Sequence, residues 1–203
     1  MDLSELSSFL DSFSPPSGAA DGGENLFSKK RKAWHSASKE EPRCDFAPDR
    51  FRLNARGLFF LSLWKRSIYG PTLSEIKADP EMVEKFIQGV APFIRDILGH
   101  KLGKGQWAII TPPPRRHIER NFAQRVAAGI SEILNIPFHP DVARAKNRQR
   151  VMAEFDLVNL PPEPNLIVFD DICTTASTFQ AMRRLLLPHE KNLIFFAAIN
   201  NKA

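Results

Sequence analysis

Leu166-Ile-Val-Phe-Asp-Asp-Ile-Cys-Thr-Thr-Ala-Ser-Thr178 is the stretch that best indicates how this chain folds. Its four leading apolar residues are typical of a strand buried on both faces of a parallel sheet. The carboxylates of Asp170 and Asp171 follow, then a hydroxyl-rich turn and the start of a predicted helix. Backbone N–H groups at such a turn bind anions, and Thr and Ser hydroxyls add donors. Because carboxylates accept hydrogen bonds from hydroxyl groups, the pattern favours a sugar that carries a phosphate.

The residues around this stretch alternate between strand-like and helix-like patterns. The predicted strands are Arg56–Trp64, Trp107–Thr111, Ile136–Val142, Leu166–Phe169 and Asn192–Ile199, and the predicted helices run from Asp79 to Gly99, Ile118 to Ile133 and Thr178 to Leu187. This alternation predicts βαβ units and an α/β fold with a parallel sheet. Parallel sheets bind ligands at the carboxyl ends of their strands, so we expect the site in the loops after Thr111 and Phe169.

The sequence LIVFDDICTTAST resembles the phosphoribosyl pyrophosphate signature of type I phosphoribosyltransferases. In that signature, four apolar residues and two acids precede a Thr-rich phosphate turn. The resemblance implies a Rossmann-like parallel-sheet core with a small N-terminal hood. It implies that Asp170 and Asp171 are the catalytic carboxylates, which engage the ribose 2- and 3-hydroxyls. It also implies a turn that cradles the 5-phosphate, formed by Thr174, Thr175, Ala176, Ser177 and Thr178.

One residue of the turn departs from this signature, because the family usually has Gly where this chain has Ala176. If the backbone there is left-handed, a β-carbon costs about 1–2 kcal/mol. If the backbone is ordinary, the methyl group narrows the phosphate pocket. Ligand binding is compatible with either conformation, and efficient turnover is what the substitution brings into question.

A second segment narrows the resemblance. Pro114–Val126 (PRRHIERNFAQRV) is similar to the arginine-rich segment of ComF-like proteins, whose usual pattern is roughly RRxRERGFNQAxxLA. The matching residues are Arg115, Arg116, Glu119, Arg120, Phe122 and Gln124, and the departures are Ile118, Asn121 and Ala123. Asn147–Arg150 and Phe155 also fit the stretch that precedes the signature in that group. The resemblance extends from about Trp107 to Ile199.

Two groups of basic residues are expected to meet phosphate. The resemblance implies that Arg115 and Arg116 bind pyrophosphate, for which the planar arginine fork is suited; the alternative is a solvated helix start. It also implies a flexible basic loop that closes over pyrophosphate, formed by Arg144, Lys146, Arg148 and Arg150. The alternatives for this loop are a solvated segment or contact with a nucleic-acid backbone, which would make binding sensitive to salt.

The first fifty residues differ from the rest and predict a flexible tail, with the folded domain at residues 51–203. Ser14–Glu24 is rich in Pro, Gly and Ser, which cannot bury enough apolar surface to order itself. Before it, Leu3, Leu6, Leu10 and Phe13 recur at the spacing of a short amphipathic helix. This helix and the basic cluster Lys29–Lys32 are candidate contacts for a protein or nucleic-acid partner. The hood is expected between Phe51 and Gly105.

Bulk properties narrow the class of protein. The 203 residues carry a formal net charge of +5, which favours an anionic partner without specifying one. No apolar run reaches the roughly 20 residues of a membrane span. Cys44 and Cys173 lie too far apart for a metal-ligand or disulfide spacing, which suggests a reduced, cytoplasmic protein. We expect no membrane partner, and a homodimer is left open.

Two functions remain open on the sequence. The first is a phosphoribosyltransferase, a pentosyl glycosyltransferase of nucleotide metabolism, which transfers the phosphoribosyl group to a nitrogenous acceptor and releases pyrophosphate. For that reaction Mg²⁺ is expected on the pyrophosphate, held largely by substrate oxygens and waters. The second is a non-catalytic module: a sensor of phosphoribosyl pyrophosphate or nucleotide, or a ComF-like accessory protein of DNA uptake or processing. The sequence does not identify the acceptor.

Overall fold

The computed structural model describes residues 41–48, 51–55, 57–103, 105–114, 121–146 and 153–201. The predicted amphipathic helix Leu3–Phe13 and the basic cluster Lys29–Lys32 lie outside these ranges. One compact unit begins at Glu41, ten residues before the domain boundary expected from composition. Its elements, in chain order, are β1 (Phe51–Ala55), β2 (Leu58–Lys65), α1 (Leu73–Ala78), α2 (Glu81–Leu98), β3 (Trp107–Ile110), α3 (Phe122–Leu134), β4 (Phe138–His139), β5 (Ala143–Ala145), β6 (Phe155–Leu157), β7 (Asn165–Cys173), α4 (Ser177–Leu186) and β8 (Asn192–Asn200).

The described strands form one large sheet and one small one. The large sheet has the order β1-β2-β8-β7-β3-β4. All its neighbouring pairs are parallel except β1 and β2, which form an antiparallel hairpin at one edge. Five parallel strands with helices between them confirm the α/β prediction.

The strand β7 is longer than its apolar run predicts. It continues past Phe169 to Cys173, so both carboxylates lie within the strand rather than after it. The reason is its neighbour β8, which pairs with it through Cys173 and Asn200 and so supplies hydrogen bonds for the extra residues. Polar residues can extend a strand when an adjacent strand satisfies their backbone groups.

Two apolar clusters cover the two faces of the sheet. Ile167 and Phe169 of β7 pack with α2 and α3, whereas Leu166 and Val168 pack with α4. This alternation follows from the two-residue period of a strand. The helices therefore cover the faces of the sheet. The carboxyl ends of β3, β7 and β8 lie side by side at one end of the strands, which is the carboxyl edge of the sheet.

Each of the two long helices begins next to a residue that suits the start of a helix. Pro80 precedes α2, which ends before Gly99, as predicted. The helix α3 begins at Phe122, and the predicted start at Ile118 lies outside the described residues. Asn121, one of the departures from the ComF pattern, is its N-cap, and forms a capping box with Gln124. None of the helices within the described ranges is long and apolar enough to cross a membrane.

Residues 41–48 were assigned to the tail, and the short helix α1 was not predicted within the folded domain. Thr72 and Glu75 form a capping box at the start of α1. The N–H of Leu73 donates to the carbonyl of Pro42, and the N–H of Cys44 donates to that of Pro71. Cys44 is fully buried in the apolar cluster that also contains Ile76 of α1, and Phe46 packs against that cluster.

The strand predicted over Ile136–Val142 is only partly correct. Phe138 and His139 alone join the large sheet as β4. Pro140 follows them, and proline has no N–H to continue the ladder. The chain then forms β5, which pairs antiparallel with β6 in the separate small sheet. The predicted basic loop thus begins on a strand at Arg144 and Ala145.

Candidate functional site

The site is built at the carboxyl edge of the sheet, where three neighbouring strands end. Asp170 and Asp171 lie near the end of β7, Thr111 follows β3, and Asn201 follows β8. Since these strands are parallel and adjacent in the sheet, their ends lie side by side. This is the edge at which the sequence predicted ligand binding.

Asp170 and Asp171 are neighbours on β7, and the Asp171 side chain acts on the Asp170 carboxyl through both its charge and a hydrogen bond. The regular alternation of β7 is interrupted beside them, because Ile172 packs with the cluster of α2 and α3 and Cys173 with the cluster of α4. The N–H of Asp171 donates to Asp170 Oδ1 at 3.0 Å. Asp171 is buried, with 6% of its surface exposed, and Asp170 is partly buried. The two acids are therefore adjacent but chemically distinct.

The environment of Asp170 disfavours its charged form. Burial raises the pKa of this carboxyl well above its usual range, and the negative charge of Asp171 raises it further. The ammonium of Lys77 acts in the opposite direction and lowers the pKa. A buried carboxyl beside a like charge binds its proton more tightly for both reasons.

Asp171 is held by a residue that sequence reasoning missed. Lys77 Nζ, on α1, lies 2.7 Å from Asp171 Oδ2. The signal for α1 was the sequence Thr72-Leu-Ser-Glu75, a Ser/Thr-x-x-Glu capping box. A lysine in the last turn of that helix could have been noted, but its partner across the chain could not.

The turn that is predicted to bind phosphate connects β7 directly to α4. Ala176 is the N-cap residue, with φ 56° and ψ 11°, and α4 begins at Ser177. The hydroxyls of Thr175 and Ser177 lie 2.9 Å apart, so one donates to the other. Thr174 is exposed, and Thr175 and Thr178 are partly buried. The turn thus brings hydroxyls and helix N-terminal N–H groups to the edge beside Asp170.

The sequence left open whether the backbone at Ala176 is left-handed or ordinary, and the structure answers this. Its backbone is left-handed, the region that glycine adopts without steric cost. Its methyl group is buried in the apolar cluster beneath α4. The departure from glycine therefore introduces backbone strain of about 1–2 kcal/mol, and the side chain packs into the core.

Asn201, at the end of β8, supports the turn through hydrogen bonds. The sequence did not indicate this support. The N–H of Asn201 donates to the carbonyl of Cys173 at 2.8 Å, and its Nδ2 lies 3.4 Å from Thr174 Oγ1. Among the described residues, two buried side-chain atoms have no hydrogen-bond partner: Asn201 Oδ1 and Thr111 Oγ1. Both follow strands that flank β7, so unsatisfied polar groups border the carboxylates on each side.

The predicted basic residues are described only in part. Arg115 and Arg116 lie outside the described residues, as do Arg148 and Arg150. Arg144 is exposed on β5. Lys146 forms an exposed ion pair with Asp156 at 2.9 Å, and hydrogen bonding to that carboxylate raises the pKa of the lysine. Their predicted contacts with pyrophosphate remain predictions.

The chain resembles known proteins in structure but not in sequence. No family model and no curated protein matches the sequence. Among solved structures, the chain is similar to an adenine phosphoribosyltransferase over 76% of its own length and 85% of that chain, with 16% identity and a TM-score of 0.46.

Two further solved structures are of the same kind. For adenine phosphoribosyltransferase from Saccharomyces cerevisiae, the similarity covers 76% of this chain and 83% of that one, with 16% identity and a TM-score of 0.45. For orotate phosphoribosyltransferase from Aeropyrum pernix, it covers 83% and 77%, with 15% identity and a TM-score of 0.40. At these values the function has to be argued from the chain's own site.

Proposed function

We propose that this chain binds a phosphoribosyl ligand and transfers the phosphoribosyl group from its pyrophosphate ester to a nitrogenous acceptor. The observation that carries the proposal is the end of β7, where two adjacent carboxylates are followed immediately by a hydroxyl-lined turn and the N-terminus of α4. The carboxylates accept hydrogen bonds from sugar hydroxyls, and the turn donates hydrogen bonds to a phosphate.

The spacing along the chain supports one ligand that spans both parts. Asp170 and Thr175 are separated by only four residues, and β7 delivers both to the same edge of the sheet. A phosphate alone would not require buried acids, which repel anions. A sugar alone would not require the turn. A sugar phosphate uses both.

The proposed transfer reaction depends on orienting the sugar more than on a strong base. Displacement at an anomeric carbon passes through an oxocarbenium-like state, so fixing the sugar and steadying the departing group are the main tasks. In the described residues, Asp170, Asp171 and the turn do the first. Arg115 and Arg116 are proposed for the second, since arginine pairs with phosphate oxygens in two places.

A magnesium ion is proposed to enter this site bound to the ligand. The described residues contain no group of three or more His, Cys, Asp or Glu that could hold a metal ion. Asp171 already has Lys77 as its cation. Mg²⁺ bound through pyrophosphate oxygens and waters would neutralise charge on the leaving group without a dedicated protein cage.

Binding without transfer is the second candidate function, and Ala176 favours it. Its left-handed backbone places strain within the phosphate turn itself. A strained turn can hold a ligand and still position it too loosely for efficient reaction, because small misplacements at a reacting centre are costly in rate. In this case the protein would act as a phosphoribosyl pyrophosphate sensor or as a ComF-like accessory protein.

Calorimetric titration with ribose 5-phosphate and with phosphoribosyl pyrophosphate, with and without Mg²⁺, tests binding. Pyrophosphate release is then measured across a panel of purines, pyrimidines and simple amines. Binding together with acceptor-dependent release supports the transferase. Binding without release supports the sensor, and absence of binding to both ligands contradicts the proposal.

A further inference from the structure

The ion pair between Lys77 and Asp171 joins the N-terminal part of the domain to the signature strand. The two residues are far apart in sequence, and their charged atoms lie 2.7 Å apart. The inference drawn from this contact rests on the proposed function, because it concerns how the two carboxylates of that site are held.

Lys77 lies on α1, and the buried face of this helix packs on the rest of the domain. Ile76, the preceding residue, is 1% exposed and belongs to the apolar cluster of α2 and α3. The capping box of Thr72 and Glu75 fixes the first turn of α1. The hydrogen bond from the N–H of Leu73 to Pro42 ties that turn to the preceding segment. The lysine stem therefore starts from a defined position.

The ion pair is an unequal one, because one partner is buried and the other is half exposed. The Asp171 side chain is 9% exposed, whereas that of Lys77 is 46% exposed. A buried carboxylate without a cation is strongly unfavourable, so Asp171 depends on Lys77 more than Lys77 depends on Asp171.

The two carboxylates are linked to Lys77 and to each other. Lys77 Nζ pairs with Asp171 Oδ2. Asp170 Oδ1 accepts the N–H of Asp171, and the Asp170 carboxyl is also hydrogen-bonded to the Asp171 side chain. The charged groups that act on Asp170 within the described residues are Asp171 on β7 and Lys77 on α1. On the opposite side, α4 carries its basic residues, Arg183 and Arg184, in its last turn.

We propose that Lys77 is a positioning residue of the phosphoribosyl site, which holds Asp171, and through it the carboxyl pair, in one orientation toward the sugar hydroxyls. In this arrangement α1 supplies the fixed positive charge that two adjacent carboxylates need. The acidic pair then binds a sugar diol without recruiting a divalent cation of its own. The ligand class is a 5-phosphorylated pentose with free 2- and 3-hydroxyls.

The test compares Lys77→Met with Lys77→Arg, using ribose 5-phosphate as the probe because it lacks pyrophosphate. Affinity is measured by calorimetry at pH 6 and pH 8 without divalent cations. We expect Lys77→Met to bind about tenfold more weakly at pH 8, since hydrogen bonds to an uncompensated and misoriented carboxylate are lost. The loss should be larger at pH 6: burial raises the pKa of Asp170 and the Lys77 ammonium opposes this, so removing the cation lets Asp170 hold its proton more readily. Lys77→Arg should stay within about threefold of the parent, because the charge is kept.

Two further variants separate a site effect from a general one. Lys191→Met removes a lysine that bonds to the carbonyls of Pro162 and Glu163, before β8 and at the opposite edge of the sheet. It should bind ribose 5-phosphate as the parent does at both pH values. The double variant Lys77→Met with Asp171→Asn should bind no worse than the weaker single variant, because the pair acts as one unit.

The outcomes distinguish this inference from the proposed function. If the parent protein binds no ribose 5-phosphate and no phosphoribosyl pyrophosphate, the proposed function fails. If the parent binds but Lys77→Met binds equally well with the same pH dependence, the positioning role alone is overturned. Tighter binding by Lys77→Met also overturns it, because Lys77 would then be a competitor of the ligand. Circular dichroism of each variant confirms that the comparison is between folded proteins, and Lys77→Gln replaces Lys77→Met if the latter does not fold.

Discussion

The N–H of Asn201 donates to the carbonyl oxygen of Cys173 at 2.8 Å, which ties the end of β8 to the residue just before the phosphate turn. The turn is thus held at its start by a neighbouring strand and at its end by the left-handed backbone of Ala176. The shape of the turn therefore depends on β8 and on the start of α4, as well as on β7, which carries Asp170 and Asp171. The predictions below test the turn, the carboxylates and the packing that positions them.

Changing Ala176 to Gly should alter the free energy of unfolding by no more than about 1 kcal/mol. Relief of backbone strain of about 1–2 kcal/mol is offset by the loss of a buried methyl group and by the entropy of glycine in the unfolded chain. Changing Ala176 to Val should destabilise the protein by about 2 kcal/mol or more, because a β-branched residue tolerates this conformation poorly. Urea unfolding measures both, and equal stabilities for Ala176→Val and the parent would contradict the observed backbone.

Changing Asp170 to Asn should stabilise the protein at neutral pH and weaken ligand binding. The pKa of Asp170 is raised in the folded protein, so its contribution to stability is present at low pH and is lost as the pH rises through the folded-state pKa. Asn keeps the oxygen that accepts the N–H of Asp171 and removes the buried charge. Thermal unfolding at pH 4 and pH 7 should show the gain at the higher pH.

The same Asp170→Asn protein should bind ribose 5-phosphate about tenfold more weakly or worse, since hydrogen bonds to a charged group contribute about 1.5–3 kcal/mol. Asp156→Asn is a matched control for stability, because its ion pair with Lys146 is exposed. Exposed pairs contribute little to stability, so this control should leave the melting temperature nearly unchanged. A lower melting temperature for Asp170→Asn at neutral pH would argue against a buried charge at that position.

Changing Thr111 to Val should leave the ligand-free protein equally stable or slightly more stable. Thr111 Oγ1 is buried without a hydrogen-bond partner, and replacing an unsatisfied polar group by an apolar one of the same shape is neutral or favourable. If Thr111 serves the site, the variant should bind phosphoribosyl pyrophosphate more weakly than the parent. Destabilisation by more than about 1 kcal/mol would mean that the hydroxyl has a partner in solution.

Changing Gly129 to Ala should destabilise the protein even though alanine is the better helix former. A β-carbon on Gly129 would overlap the Cδ1 atom of Ile87, where α3 crosses α2. Overpacking of this kind costs typically about 1–3 kcal/mol, which exceeds the roughly 1 kcal/mol gained in helix propensity. Ile87→Val removes Cδ1, the nearer of the two overlapping atoms, and keeps Cγ1 at 2.8 Å, so the double variant should recover part of the lost stability. Additive effects in this double-mutant cycle would refute direct contact.

Most of the sheet could be predicted from the sequence because its strands are buried. The runs around Leu166 and Asn192 are almost wholly apolar, as strands covered on both faces require. The helix from Glu81 to Leu98 was equally clear from its apolar stripe and from the Asp79-Pro80 start. The carboxyl edge of the sheet, and hence the position of the acids and the phosphate turn, followed from this pattern.

The parts that were missed depend on contacts between residues distant in sequence. The N-terminal hydrogen bonds of α1 reach back to Pro42, and Lys77 reaches across to Asp171. Local pattern does not encode such pairs. Likewise, β7 extends through its carboxylates because β8 lies beside it, and the left-handed backbone of Ala176 is set by the strand and helix on either side rather than by alanine's own preference.

The strand order also constrains the sequence of events by which this domain folds. β8 lies between β2 and β7 in the sheet, yet it follows every other described strand along the chain. The hairpin of β1 and β2 therefore has no parallel neighbour until residues 192–200 have left the ribosome. Pairings between such distant segments form slowly because long loops must close first. The edge of β7 that β8 will cover stays open during synthesis, so this nascent domain should depend on chaperones more than a helical protein of equal length does.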